Sequence, residues 1–228
     1  MRPRLQVIFL GIFSLLLYFY LTKISKEFNW GEGYADRPIL TYLAIYFSLS
    51  LIFFAVCAFV LKQPENRFTF WTIIIFGLLF RLSVLPAQQI QEDDVYRYLW
   101  DGKVFSNGIN PFKYSPSEVH DFKELRIQDP ETYYEIYTET NERELEKLSE
   151  LKWESPKSLK FLERVNHPGV PTIYPPMAQF VFTTVHLIQA DSILAMRMAF
   201  LIFDLLTLFF IVGILNKLGL NKNLSVIY

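Results

Sequence analysis

"FTFWTIIIFGLLFRLSVLPAQQIQEDD", Phe68 to Asp94, is the stretch on which the fold turns. A helix needs about 17 to 25 mostly apolar residues to cross the hydrocarbon of a bilayer, because it rises about 1.5 Å per residue. The run from Phe68 to about Gln88 meets that length, with one charge, Arg81, and with Pro86 near its end. The acidic triplet Glu92, Asp93 and Asp94 follows at once, where this third helix is expected to deliver it to the membrane surface.

Three further runs qualify as spans. Leu5 to Thr22, preceded by Arg2 and Arg4, has a long apolar part and no small-residue cleavage site after it, so it reads as an uncleaved anchor rather than a signal peptide. Pro38 to Leu61 begins with a proline suited to a first helical turn. Ser192 to Leu215 carries Arg197 and Asp204. Asp204 is expected to pair with a buried cation such as Arg81, since neither charge is stable alone among apolar side chains. With 52% apolar and 17% aromatic residues, the chain departs from soluble composition. The expectation is an all-α membrane protein with about four transmembrane helices.

A fifth apolar run, Ile173 to Ile188, is short and begins with Pro175 and Pro176. Charge decides between a crossing and an interfacial helix. If Arg2 and Arg4 are cytoplasmic, so is the Lys62 to Arg67 connection, and the chain after Gln88 emerges outside. A juxtamembrane helix then leaves Lys217 and Lys222 inside, whereas a fifth crossing puts them outside. The juxtamembrane reading is preferred, with five transmembrane helices as the alternative. Residues 1–88 are accordingly three spans and 89–172 an external loop. Residues 173–190 form the juxtamembrane or transmembrane helix and 191–217 the last span. Residues 218–228 are a loop, with Gly219, Asn221 and Asn223, and the start of a further helix.

Other chemistries lack support. A net charge of −1 and the absence of a basic block exclude a nucleic-acid partner. The single cysteine, Cys57, excludes an internal disulfide and a Cys-based zinc site. No Gly-rich phosphate loop, Walker pattern or His-x-x-x-His pair occurs. Within the loop, "NERELEKLSELKW" starts with Asn141 as a cap and Glu144 three residues on, then Leu145, Leu148 and Leu151 at helical spacing, which predicts an amphipathic surface helix. Asn110 before Pro111, with Gly108 upstream, is turn chemistry. Tyr96, Tyr98 and Trp100 alternate with charges and suit an interfacial aromatic belt.

The segments "EDDVYRYLWDGKVFSNGINPFKYSP" at 92–116, "NHPGVPTIYPPMAQF" at 166–180 and "RMAFLIFDLL" at 197–206 occur in that order. Together they resemble the amino-terminal part of GT-C superfold glycosyltransferases, especially bacterial mannosyltransferase-like proteins that use polyprenyl-phosphate sugars. The likeness covers roughly residues 75–228. It implies a catalytic first large external loop with juxtamembrane helices, in the bacterial inner membrane. An aspartate there is the general base on an acceptor hydroxyl of a glycan, lipid or protein, and a lipid phosphate leaves. Carried over, the motif aspartates are Asp93 and Asp94. Asp94 is the favoured base, with Glu92 or Asp93 binding sugar hydroxyls or tuning it.

The departing phosphate needs positive charge or hydrogen-bond donors. Arg97 shares a helical face with Asp94 and is suited either to pair with it or to reach the phosphate. Arg197 is a donor contact if its span enters from outside, and His167 and Tyr174 are further binding candidates. Trp100 is a candidate to stack on a sugar. No metal ligand set or cofactor is implied, and a divalent cation is not favoured, because a monophosphate donor leaves less diphosphate charge to neutralise.

The resembled enzymes continue through several more spans, whereas this sequence stops at "NLSVIY". It therefore reads as the front of a longer architecture, either a truncated or split product or a chain whose missing helices come from a second chain. Two other classes stay open: a non-catalytic membrane scaffold, and a transporter whose acidic cluster lines an entrance, although no broken-helix repeats are evident.

Overall fold

The structure, a computed structural model, describes residues 3–28 and 34–228. Arg2 and the side chain of Arg4, two of the charges that orient the amino terminus, lie outside the described residues. Among the described residues every regular element is helical and no strand occurs. Four helices are long and apolar enough to cross a membrane: α1 (Pro3–Ile24), α2 (Ile39–Val60), α3 (Arg67–Val84) and α10 (Ile193–Lys217). Between α3 and α10 lie six shorter helices: α4 (Asp94–Ser106), α5 (Pro116–Gln128), α6 (Pro130–Ile136), α7 (Glu139–Leu151), α8 (Pro156–Glu163) and α9 (Pro176–Ile188). The chain divides into two compact units, Met1–Ile90 with Phe200–Tyr228, and Gln91–Ala199.

In the first unit α1 packs against α3 and α2. Gly11 permits the close approach to α3, since a Cβ there would stand 2.7 Å from the Phe76 ring. The far ends of the same two helices are tied by polar bonds: the Thr22 hydroxyl donates to the Ser83 carbonyl at 2.8 Å, and the Gln88 N–H donates to the Ser25 hydroxyl oxygen at 2.8 Å. The expected pairing of Arg81 with Asp204 is present. Tyr228 completes it, its hydroxyl donating to the Asp204 carboxylate at 2.6 Å and its ring 5.4 Å from the Arg81 guanidinium. The residues after α10 do not begin a regular α-helix. They form a short 3₁₀ helix, Lys222–Ile227, that folds back on α2 and α3. Asn221 donates to the Gln63 carbonyl at 3.2 Å, and the backbone of Val226 covers the Cys57 sulfur.

The third span is shorter than the hydropathy suggests. Helix α3 stops at Val84, because Pro86 has no N–H to continue the ladder. The acidic triplet consequently does not ride on the end of α3. Asp93 occupies the capping position of a new helix, α4, and Asp94 is its first residue, where the helix dipole favours negative charge.

The second unit is organised on α4, whose closest partner is α9. Gly102 makes that contact possible: a Cβ there would lie 2.5 Å from the Phe182 carbonyl oxygen. Tyr96, Trp100 and Val104 extend from α4 into a core with Val119, Phe122, Tyr133 and Leu145. Tyr96 and Trp100 are thus interior and not part of a surface belt, because residues far along the chain fold over them; Tyr98 alone is half-exposed. Helix α7 is amphipathic as expected, with Leu145 and Leu148 buried, but its cap is Thr138, whose hydroxyl accepts from the Asn141 N–H at 3.4 Å. A full capping box, Ser115 with Glu118, opens α5. The turn at Gly108 and Asn110 is as expected: Gly108 has φ +77°, and Asn110 accepts from the Phe112 N–H at 3.0 Å. Helix α9 starts at the second proline and has 13 residues, fewer than a crossing needs.

Candidate functional site

The beginning of α4 and the segment leading into α9 meet, which brings together two of the three motif stretches. The Tyr174 phenol lies within electrostatic reach of the Asp94 carboxylate and the Tyr98 hydroxyl. Burial, and then its interaction with Asp94, hold the Tyr174 phenol well above its ordinary value. It therefore stays neutral beside Asp94. The rings brace this contact: Tyr98 meets Tyr174 edge-on with centroids 4.9 Å apart and stacks on Phe182 at 4.7 Å.

Arg97 lies one turn beyond Asp94 and is 5% exposed. It is not placed as a free phosphate ligand, because Nη2 donates to the carbonyls of Asn166 and His167, each at 3.0 Å. Those carbonyls converge where His167 adopts a left-handed backbone, φ +51°, while its side chain is exposed. Arg97 thus fixes the path of the 166–174 segment. Burial lowers its pKa, opposed by the charges of Asp101 and Asp94. Trp100, expected as a stacking face for a sugar, is a core residue 5% exposed and presents no such face.

Glu92 is exposed, whereas Asp93 and Asp94 are half-buried. Asp93 belongs to a second cluster around the Tyr96 phenol. Arg164 donates to the Tyr96 hydroxyl oxygen at 2.5 Å with its guanidinium 5.0 Å from the ring centre. The charges of Asp93 and Arg197 also act on that phenol, whose pKa burial raises. Two cations, Arg164 and Arg197, therefore share a neighbourhood with Asp93. Arg164 escaped the sequence reading; it sits after α8 with no motif around it.

Asp101 was also missed, and its carboxylate is strongly perturbed. It is 2% exposed, and burial pushes its pKa up to about 6, opposed by the Thr172 hydroxyl, the charge of Arg97 and the bond from Gln179. The signal was present in the spacing: Asp94, Arg97 and Asp101 recur at three and four residues, one face of a helix. Among the described residues no three His, Cys, Asp or Glu side chains converge as a metal site.

These features define an integral membrane protein, with four spanning helices and a charged helical unit. Compared with protein-family models, curated proteins and solved structures, the chain matches none.

Proposed function

We propose that the protein is a GT-C-like membrane glycosyltransferase, or the amino-terminal portion of one. In this reading it moves a sugar, mannose being the first candidate, from a polyprenyl-phosphate donor to an acceptor hydroxyl. The observation that carries the proposal is the ring contact of Tyr98 with Tyr174, centroids 4.9 Å apart, which joins the helix that begins at Asp94 to the Tyr-Pro-Pro motif. A half-buried carboxylate beside a neutral phenol, with cations nearby, suits a base next to a leaving phosphate.

Asp94 takes the proton of the acceptor hydroxyl, whose oxygen attacks the anomeric carbon. The bond from that carbon to the phosphate oxygen breaks, and the polyprenyl phosphate leaves with the electron pair, inverting the sugar carbon. Tyr174 keeps the Asp94 carboxylate oriented. Arg164 and Arg197 supply the positive charge that steadies the departing phosphate. The donor is lipid-anchored, so the site belongs at headgroup height. We place it on the outer side of a bacterial cytoplasmic membrane, with the acceptor approaching from outside.

Sugar transfer from a polyprenyl-phosphate donor, measured in membranes containing the protein, tests the proposal. Asp94→Asn is expected to lower the rate by about 100-fold or more, the scale of a lost general base, and Asp93→Asn by less. Unchanged rates in both variants remove the base assignment, and no transfer by the wild type removes the enzyme.

A further inference from the structure

The face of α4 that begins with Asp94 runs inward to Asp101, about two turns deeper. Asp101 accepts a hydrogen bond from Gln179 Nε2 at 3.3 Å, and the nearby Thr172 hydroxyl favours its ionised form. The same Gln179 amide lies 3.0 Å from the Thr172 hydroxyl oxygen and 3.5 Å from the Tyr174 carbonyl. Thr172 in turn accepts from the Tyr174 N–H at 3.3 Å. The chain of bonds thus starts at Asp101 and ends on the backbone of Tyr174, whose side chain lies near Asp94. One atom in it is out of place. Gln179 is 1% exposed, and its Oε1 is buried without a hydrogen-bond donor.

We propose that Asp101 is a positioning residue: as a carboxylate it holds the Thr172–Tyr174 turn so that Tyr174 stands against Asp94, and on protonation it releases that turn. Ionised, Asp101 only accepts, and it is matched by the Gln179 amide and favoured by the Thr172 hydroxyl. Protonated, it gains a donor that needs a buried acceptor. Gln179 Oε1 is that acceptor. Turning the amide over to receive the new O–H carries Nε2 away from Thr172 and from the Tyr174 carbonyl, and the turn loses its fastening. The groups facing Asp101 are Arg97 from α4, Thr172 from the segment after Pro171, and Gln179 from α9. Only Arg97 among them is charged, and it remains cationic throughout. The changeover therefore follows Asp101 itself.

The sign is fixed by the direction of the shift. The folded unit binds the Asp101 proton more readily than the unfolded chain does, so the ionised form costs stability, and from this group alone stability falls as pH rises from about 4 through about 6. The holding state is thus the strained one. This role rests on the site assigned above, but its test reads the turn and not sugar transfer, so the two can fail separately.

Hydrogen exchange of the full chain in lipid nanodiscs follows the backbone amides of residues 172–180. After correction for intrinsic exchange, wild-type protection is expected to fall about tenfold or more between about pH 8 and about pH 5. Asp101→Asn, which offers the amide donor permanently, is expected to show low protection at both. Thr172→Val, which removes the hydroxyl and little else, is expected to do the same. Equal wild-type protection at the two pH values overturns the proposal. So does a pH dependence that persists unchanged in Asp101→Asn or Thr172→Val.

Discussion

The two units solve the burial of charge in opposite ways. In the spanning unit, α1, α2, α3 and α10 from Phe200 onward turn large apolar side chains outward, Leu40, Leu51, Phe54 and Phe209 among them. Inside that unit Arg81 and Asp204 neutralise each other, with Tyr228 as a third partner. In the unit of residues 91–199, charge is instead concentrated in the interior, and much of it on one helix. Arg97, Asp101 and Lys103, all on α4, are each at most 5% exposed. The difference teaches where specificity is built. A span can exchange one apolar residue for another, whereas α4 is held by partners that must each be present.

The sharpest way to break this contrast is at Lys103. Its ammonium donates to Glu154 at 2.9 Å, Ser158 at 2.5 Å and Asp191 at 3.1 Å, and it is 1% exposed. Lys103→Ala is expected to destabilise the charged unit by about 3 to 5 kcal/mol, because it leaves the Asp191 carboxylate without a cation and held only by the Ser155 and Ser158 hydroxyls. Thermal unfolding in detergent measures this, and Lys103→Arg should recover part of it. In the spanning unit, Asp204→Ala removes the carboxylate that neutralises Arg81 and leaves it the Gly77 carbonyl and the Tyr228 ring, at a cost of about 2.5 to 3.5 kcal/mol. Adding Arg81→Leu should return much of that loss in the same melting experiment. A smaller effect, about 1 to 3 kcal/mol, is expected for Gly102→Ala. The new methyl meets the backbone of Phe182, so α4 and α9 must part, and exchange should rise in both helices.

The spans were legible because hydropathy over a long window needs no tertiary information. The Arg81–Asp204 pair was legible for a related reason: two isolated opposite charges in apolar runs have few other partners. Helix α7 showed itself in the spacing of Leu145 and Leu148. The interior of α4 stayed hidden, since a 13-residue helix of mixed composition has no distinct apolar stripe. What buries Trp100 and Asp101 comes from residues some twenty to eighty positions further along the chain. Asp93 and Asp94 were found from their position after an apolar run, but that same run concealed the break at Pro86. Arg164 had no local signal at all. Its role comes only from the folded position of Tyr96.

Cys57 gives the returning carboxyl-terminal turn a practical meaning. The chain has a single cysteine, and the backbone of Val226 lies over its sulfur. That thiol is a built-in reporter: a maleimide added to native membranes is expected to react faster whenever the 222–227 segment lifts from α2. The labelling rate therefore clocks the opening of this contact without any engineered probe.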